Sequence, residues 1–192
     1  MFELFYTYKV REFSTFTPKY SALKKIGLLS DTHGFLDPKL FEFFKDCDQV
    51  WHAGDFGNLE TADQLAAFKP LKGVYGNIDG HKVREIYPKH LKFRIEDVKV
   101  WITHIGGYPG RYDKSVKPGI YDDPPTLFIS GHSHILKVIY DKKIGTLHIN
   151  PGAAGNQGFH KVKTLLRFVI DGDRIKDLEI MEIERQKDLG IE

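Results

Sequence analysis

The stretch Ile26-Gly-Leu-Leu-Ser30, followed at once by Asp31-Thr-His33-Gly34, decides how this chain is read. A short apolar run bounded by polar residues is the mark of a buried strand, and here an acid and an imidazole stand two residues apart at its end. In extended chain, positions i and i+2 point to the same side, so Asp31 and His33 are expected to grip the contents of one cleft. The pattern recurs along the chain. Gly54-Asp55 closes the apolar run Gln49–Ala53, Gly76-Asn77 follows Leu71–Tyr75, Thr103-His104 lies in Val98–Ile105, and Gly131-His132-Ser-His134 closes Leu127–Ser130. The glycines Gly34, Gly54, Gly76 and Gly131 allow sharp turns and close backbone approach beside these groups.

Between the first three strands the period changes. Pro38 opens a stretch in which Leu40, Phe41, Phe44 and Cys47 recur at helical spacing, and Thr61–Phe68 forms a second helix ended by Pro70. Strand–helix–strand–helix–strand implies parallel strands with right-handed crossovers. After Asp79 the pattern is one of hairpins: Leu91–Ile95 with Val98–Ile105 around Glu96-Asp97, and Val162–Ile170 with Arg174–Ile183 around Asp171-Gly172-Asp173. Ile135–Tyr140 and Thr146–Ile149 are further strands, and Tyr108–Pro125, rich in Gly, Pro and Tyr, reads as a long loop with one short helix. A parallel half followed by an antiparallel half gives an α/β fold: a four-layer αββα sandwich with two mixed sheets packed face to face. The chain divides into an extension over 1–22, one domain over 23–184 and a polar tail over 185–192.

Composition narrows the function. With 192 residues, 41% hydrophobic and 28% charged, the chain is an ordinary single globule. A net charge of +2 calls for neither nucleic acid nor an anionic membrane. No apolar run approaches the roughly 18 residues of a spanning helix. The lone Cys47 excludes an intrachain disulfide and fits a reducing compartment, so a cytoplasmic protein is expected. In the extension, Leu4–Val10 reads as a short strand or as part of a disordered or partner-bound segment. Its aromatic residues (Phe2, Phe5, Tyr6, Tyr8, Phe13, Phe16) make it the place to look for assembly into a homo-oligomer.

Taken singly, a strand-end Asp or His is more often a turn former or a cap, and Gly-Asp or Gly-Asn is a turn signal. All of them in order, each at a strand end, are hard to explain structurally. Asp31, His33, Asp55, Asn77, His104, His132 and His134 are carboxylate, imidazole and amide donors, which suit Mn²⁺, Fe, Ni²⁺ or Zn²⁺ rather than a thiolate-selective ion. With water added they suffice for two cations about 3.5–4 Å apart.

The series Asp-x-His, Gly-Asp, Gly-Asn, His, Gly-His-x-His resembles the calcineurin-like metallophosphoesterase superfamily. The wording Ser30-Asp31-Thr-His33-Gly34, His52-Ala-Gly54-Asp55, Gly76-Asn77-Ile-Asp79 and Asn150-Pro-Gly152 is similar to that of its small YfcE-type phosphodiesterases. The resemblance covers roughly Lys25 to Ile183 and implies the same αββα sandwich. It implies that Asp31, His33 and His134 hold one metal, that Asn77, His104 and His132 hold the other, and that Asp55 bridges them, with Mn²⁺ the first expectation. The reaction implied is hydrolysis of a small-molecule phosphodiester by in-line attack of a metal-bridging hydroxide. Asn77, which would also orient the phosphate, and His104 are the candidate catalytic residues.

The chain departs from the family at one position. Many members carry Gly-Asn-His, whose histidine is thought to protonate the leaving oxygen, and here that position is Ile78. Asp79 is read as a turn-stabilising group rather than a substitute acid. His52 is read as a group hydrogen-bonding a metal ligand or as a packed strand histidine, and Arg111 as a surface arginine or a substrate contact from a loop that could close over substrate. His81, His90, His148 and His160 lie outside the motifs and are read as ordinary. Substrate specificity is assigned to Tyr108–Pro125 and Asn156–His160. A nuclease is disfavoured by the near-neutral charge. The rival reading is a protein-binding scaffold of the same fold, like the retromer subunit that also lacks the acid histidine.

Overall fold

The computed structural model describes residues 23–185. The expected strand at Leu4–Val10 and the tail beyond residue 185 lie outside the described residues. One five-stranded sheet contains β1 (Lys24–Leu29), β2 (Gln49–His52), β3 (Leu71–Gly73), β11 (Val162–Asp171) and β12 (Arg174–Glu184) in the order β12-β11-β1-β2-β3. The first three are parallel, and the closing hairpin joins antiparallel to β1. The other sheet has the order β4-β5-β8-β10-β9, from β4 (His90–Ile95), β5 (Val98–Thr103), β8 (Leu127–Ile129), β9 (Leu136–Asp141) and β10 (Thr146–Pro151). There β5, β8 and β10 run parallel, with β4 and β9 antiparallel at the edges.

The two sheets pack face to face over one apolar layer. Ile26, Leu28, Trp51, Leu166 and Phe168 from the first meet Val100, Ile102, Leu127, Ile129 and Ile149 from the second. Trp51 ties them directly, edge-on to Phe93 at 5.2 Å and to Phe168 at 5.8 Å. Outside the first sheet lie α1 (Pro38–Phe43), α2 (Leu59–Phe68) and α3 (His81–Ile86), which bury Leu40, Phe43, Ala62, Leu65 and Val83 against it. Outside the second, α4 (Lys117–Asp122) seats Ile120 against Trp101 and Phe128. The layers are therefore helix, sheet, sheet, helix, as the sequence implied.

Local chemistry explains the helix starts. Asp37 caps α1 by accepting from the Lys39 N–H at 3.0 Å, with Pro38 just inside. Asn58 caps α2 by accepting from the Thr61 N–H at 2.8 Å, so the helix begins two residues earlier than its apolar spacing suggested. Two elements were not expected. Helix α3 buries only Val83 and has no side-chain cap, which leaves no periodicity to read. The ribbon of β6 (Gly107–Tyr108) and β7 (Arg111–Tyr112) has two residues per strand, too few to alternate. Strand β3 stops at Gly73 rather than running on to Tyr75, and β5 stops at Thr103.

Candidate metal centre

All five polar clusters lie on loops that leave the carboxyl ends of parallel strands β1, β2, β3, β5 and β8. In α/β sheets this is the edge where sites form. The extended geometry expected for Asp31/His33 and for His132/His134 is not what the chain adopts. Asp31, His33, Asp55, His132 and His134 all have left-handed backbone, with φ of 54°, 49°, 58°, 69° and 55°. They are five of the seven non-glycine residues with positive φ among those described; the others, Glu96 and Asp177, belong to the two hairpins. Each costs of order 1–2 kcal/mol, and a packed scaffold sustains such strain where a site needs it. The loops that hold it are zipped together: Asp31 N–H donates to Gly54 O at 2.9 Å, His33 N–H to Asp55 O at 3.1 Å and Gly34 N–H to Phe56 O at 2.7 Å.

The donors fall into two adjoining groups, Asp31 with His33 and His134, and Asp55 with His104 and His132. Asp31 Oδ1 lies 3.2 Å from His134 Nε2, and 3.9 Å from both His33 Nε2 and His104 Nε2. Asp55 Oδ2 lies 3.2 Å from His104 Nε2, and Asn77 Oδ1 lies 3.1 Å from the same nitrogen. Asp31 is fully buried, yet its Oδ1 has no hydrogen-bond donor. Such a carboxylate oxygen is costly unless a cation meets it. His104 Nδ1–H donates to Ala53 O at 2.8 Å, so once deprotonated its Nε2 lone pair faces the site. The donor set fits a pair of divalent cations. Close approach explains the glycines: a Cβ on Gly76 would overlap the Asp55 carboxylate, and one on Gly131 would overlap Ser30 Oγ.

Behind the donors runs a layer of bracing contacts. His52 is buried and stacked on Phe56 at 3.7 Å. Its Nδ1 accepts from Gly54 N–H at 3.1 Å, so its Nε2–H faces Thr32 Oγ1 at 2.9 Å. It thus fixes the residue between Asp31 and His33 and the residue before Asp55; it is packed in the core and bonds these neighbours rather than a metal-donor side chain. Asp79 accepts from the backbone N–H of Phe56, Gly57 and Gly76 at 3.2, 2.8 and 2.8 Å. That occupies its carboxylate in holding the Asp55 and Asn77 loops together. Replacing Asp79 with Ala leaves three N–H groups without their acceptor. Metal affinity is expected to fall about 10–100-fold with every donor still present, and a metal titration with an unchanged midpoint would refute it.

Sequence reasoning missed two braces. Arg84 donates from Nε to Asp79 O at 2.6 Å and from Nη2 to Asn77 O at 3.0 Å, with its guanidinium 4.6 Å over the Tyr75 ring. Asn150 donates to Gly131 O at 2.8 Å and to Ser133 Oγ at 3.1 Å, holding the Gly-His-Ser-His loop. The hydrogen bonds of Arg84 go to backbone carbonyls, which leave no trace in sequence. Asn150 stood in a quoted motif, but its target lay on another strand's loop.

Burial sets the protonation states. It holds His52 down to about 3, with the nearby His104 adding to the effect, and holds His148 down to about 4, with the Lys137 ammonium adding to it. His104 runs the other way. Burial opposes its charge, but the hydrogen bond to Asp55 and the charges of Asp31 and Asp55 outweigh that and raise its pKa. A proton must therefore leave His104 before its Nε2 can bind a cation.

Of the five histidines held below their ordinary pKa, the two shifted furthest, His52 and His148, give a stability prediction for the metal-free protein. Unfolded, both titrate near 6.5. Their contribution is complete above that value and is lost as pH falls toward the folded values. Together they should cost about 3 kcal/mol between about pH 7.5 and about pH 5.5, partly offset by His104, whose contribution is lost as pH rises. A urea midpoint that stays flat or rises on acidification would contradict this.

Arg111 sits on the ribbon, exposed, on the wall of a cleft of about 350 Å³ that opens on His132. His148, read as ordinary, is buried in the same wall. His160 lies on the other side with its ring 5.2 Å from that of His134, in a cleft of about 410 Å³ shared with Ile135 and the fully exposed Phe159. Ile78 is 46% exposed, and its N–H donates to Asp55 Oδ1 at 3.1 Å.

With this geometry in place, the model of the calcineurin-like phosphoesterase superfamily domain matches residues 25–173. The chain belongs to that family. It is 28% identical over 135 residues to a protein of Methanothermobacter thermautotrophicus named a probable metallophosphoesterase, covering 67% of this chain and 76% of that one. Among solved structures it is similar to one described as a novel archaeal phosphodiesterase, at 24% identity and a TM-score of 0.64, covering 83% of this chain and 99% of that one. It is also similar to wild-type Vps29 of Entamoeba histolytica complexed with Zn²⁺, at 15% identity and a TM-score of 0.65, covering 84% and 99%. At these identities the structural likenesses establish the fold. Among the described residues no helix is long and apolar enough to cross a membrane.

Proposed function

We propose that this chain is a dinuclear metal-dependent phosphodiesterase acting on small phosphodiesters, with Mn²⁺ the first choice of metal. The observation that carries this reading is Asp31 Oδ1, buried without a donor and ringed by three imidazole nitrogens at 3.2–3.9 Å. Asp31, His33 and His134 would hold one ion, and Asn77, His104 and His132 the other, with Asp55 between them. When bound, such ions supply Lewis acidity toward phosphate and acidify water. Two carboxylates against two dications leave the site positive, which favours an anionic ester.

The protein's own groups position the reactants. Asn77, whose Oδ1 is 3.1 Å from His104 Nε2, would orient a phosphate oxygen through its amide. The clefts on either side of His132 offer room for an ester arm in each direction, which a diester would use and a monoester would not. Ile78 offers the leaving oxygen no proton, and Asp79 is committed to backbone N–H groups.

The test is hydrolysis of bis(p-nitrophenyl) phosphate against p-nitrophenyl phosphate with added Mn²⁺, alongside elemental analysis. Diester turnover that exceeds monoester turnover and stops on chelation is expected. A protein that binds two metals and turns over neither ester would overturn the proposal and favour the scaffold reading.

A further inference from the structure

The cleft that carries Arg111 is built for charge that the metal centre does not use. It lies between the β6–β7 ribbon and the start of β9, and His132 lines both it and the metal site. Two cations, Arg111 and Lys137, line it, and neither has an ion-pair partner among the described residues. Lys137 Nζ stands 3.8 Å over the Tyr108 ring, which fixes the ammonium on the cleft wall. Asp113, the one carboxylate lining the cleft, has its Oδ1 turned to the N–H and Oγ–H of Ser115, so two cations face a single carboxylate.

His148 lies in the same wall. It is 1% exposed, and its Nδ1 has no hydrogen-bond partner, while its Nε2 meets Ser130 Oγ at 3.1 Å. Burial keeps this ring neutral, so the wall gives its polar groups to the cleft without adding a charge that competes with Arg111 and Lys137. The cleft volume of about 350 Å³ is in the range of small-ligand sites.

We infer that this cleft is a second anion subsite, which takes a phosphate group carried at the far end of one ester arm of the scissile phosphodiester. Two cations against one carboxylate leave the cleft net positive, and a phosphate, with more charge and more acceptor oxygens than a carboxylate, matches them better. The substrate class is then a diester with a nucleoside-sized arm that ends in a second phosphate. This inference rests on the phosphodiesterase reading, with the scissile phosphate beside His132.

The test uses the p-nitrophenyl ester of thymidine 5′-monophosphate, with and without a 3′-phosphate, on Mn²⁺-loaded protein. Wild type is expected to prefer the 3′-phosphorylated diester by about tenfold or more in kcat/KM, chiefly through KM. The preference should shrink in Arg111→Ala and in Lys137→Ala and vanish in the double variant. A calorimetric arm titrates thymidine 3′,5′-bisphosphate against thymidine 5′-monophosphate. Wild type should bind the bisphosphate about tenfold more tightly, and the double variant should not distinguish them. Turnover of both diesters at equal rates would overturn the subsite and leave the phosphodiesterase standing. No turnover of either diester, with the binding difference intact, would overturn the phosphodiesterase and retain the subsite.

Discussion

Asp55→Ala is expected to lower turnover of bis(p-nitrophenyl) phosphate by about 10³-fold or more, because a Lewis-acid site contributes several kcal/mol to the barrier. Bound metal should fall from two ions per chain toward one or none. The residue stands at the junction of the two donor groups. Its Oδ2 is 3.2 Å from His104 Nε2 and its Oδ1 accepts the Ile78 N–H at 3.1 Å, so the carboxylate ties the β2 loop to the β3 and β5 loops. Asp55→Asn separates charge from shape. It can still accept from Ile78 but brings no negative charge, so metal loss in both variants would assign the effect to charge. Activity within tenfold of wild type in Asp55→Ala, with two metals still bound, would remove the dinuclear reading. The metal-free variant should still fold, since the apolar layer between the sheets does not include this position.

That prediction could be written from sequence because metal chemistry restricts residue types so strongly. Cation donors must be carboxylate, imidazole or amide, and on this architecture they must follow apolar strand runs. Asp31, His33, Asp55, His104, His132 and His134 meet in two groups in the structure, and Asn77 joins the second. The αββα order was legible for the same reason, since Ile26–Leu29 and Val98–Ile102 read as buried strands with turn residues after them. What was not legible depends on partners distant in sequence. Left-handed backbone at Asp31 and His33 is held by bonds to Gly54 O and Asp55 O, and nothing in Asp-Thr-His alone demands it. The rule that i and i+2 share a side in extended chain pointed to the right pair by the wrong geometry. His148 was passed over because a histidine inside an apolar run looks like core. It is core by burial, but it also lines a cleft that only the fold creates.

The absence of a proton donor at Ile78 should govern which esters the protein can cleave. General acid catalysis is worth roughly 10²–10⁴-fold, most where the leaving oxygen is basic. Wild-type turnover across diesters with a common arm should therefore fall steeply as leaving-group pKa rises from nitrophenol to alkyl alcohol. Ile78→His is expected to flatten that dependence, raising alkyl diester turnover by about 10²-fold while changing nitrophenyl turnover little. The position can take the change, because Ile78 is 46% exposed and the backbone N–H that donates to Asp55 is kept in the variant. The variant should also acquire a fall in rate on the alkaline side, as an exposed imidazole loses its proton near about 6.5. That limb should appear for alkyl esters and be weak for nitrophenyl esters, which distinguishes proton donation from repacking of the loop. Equal wild-type rates across the series would mean that another group protonates the leaving oxygen. The imidazole to test is then His160, which lines the cleft beside His132 with its ring 5.2 Å from that of His134, and His160→Ala should restore the steep dependence in that case.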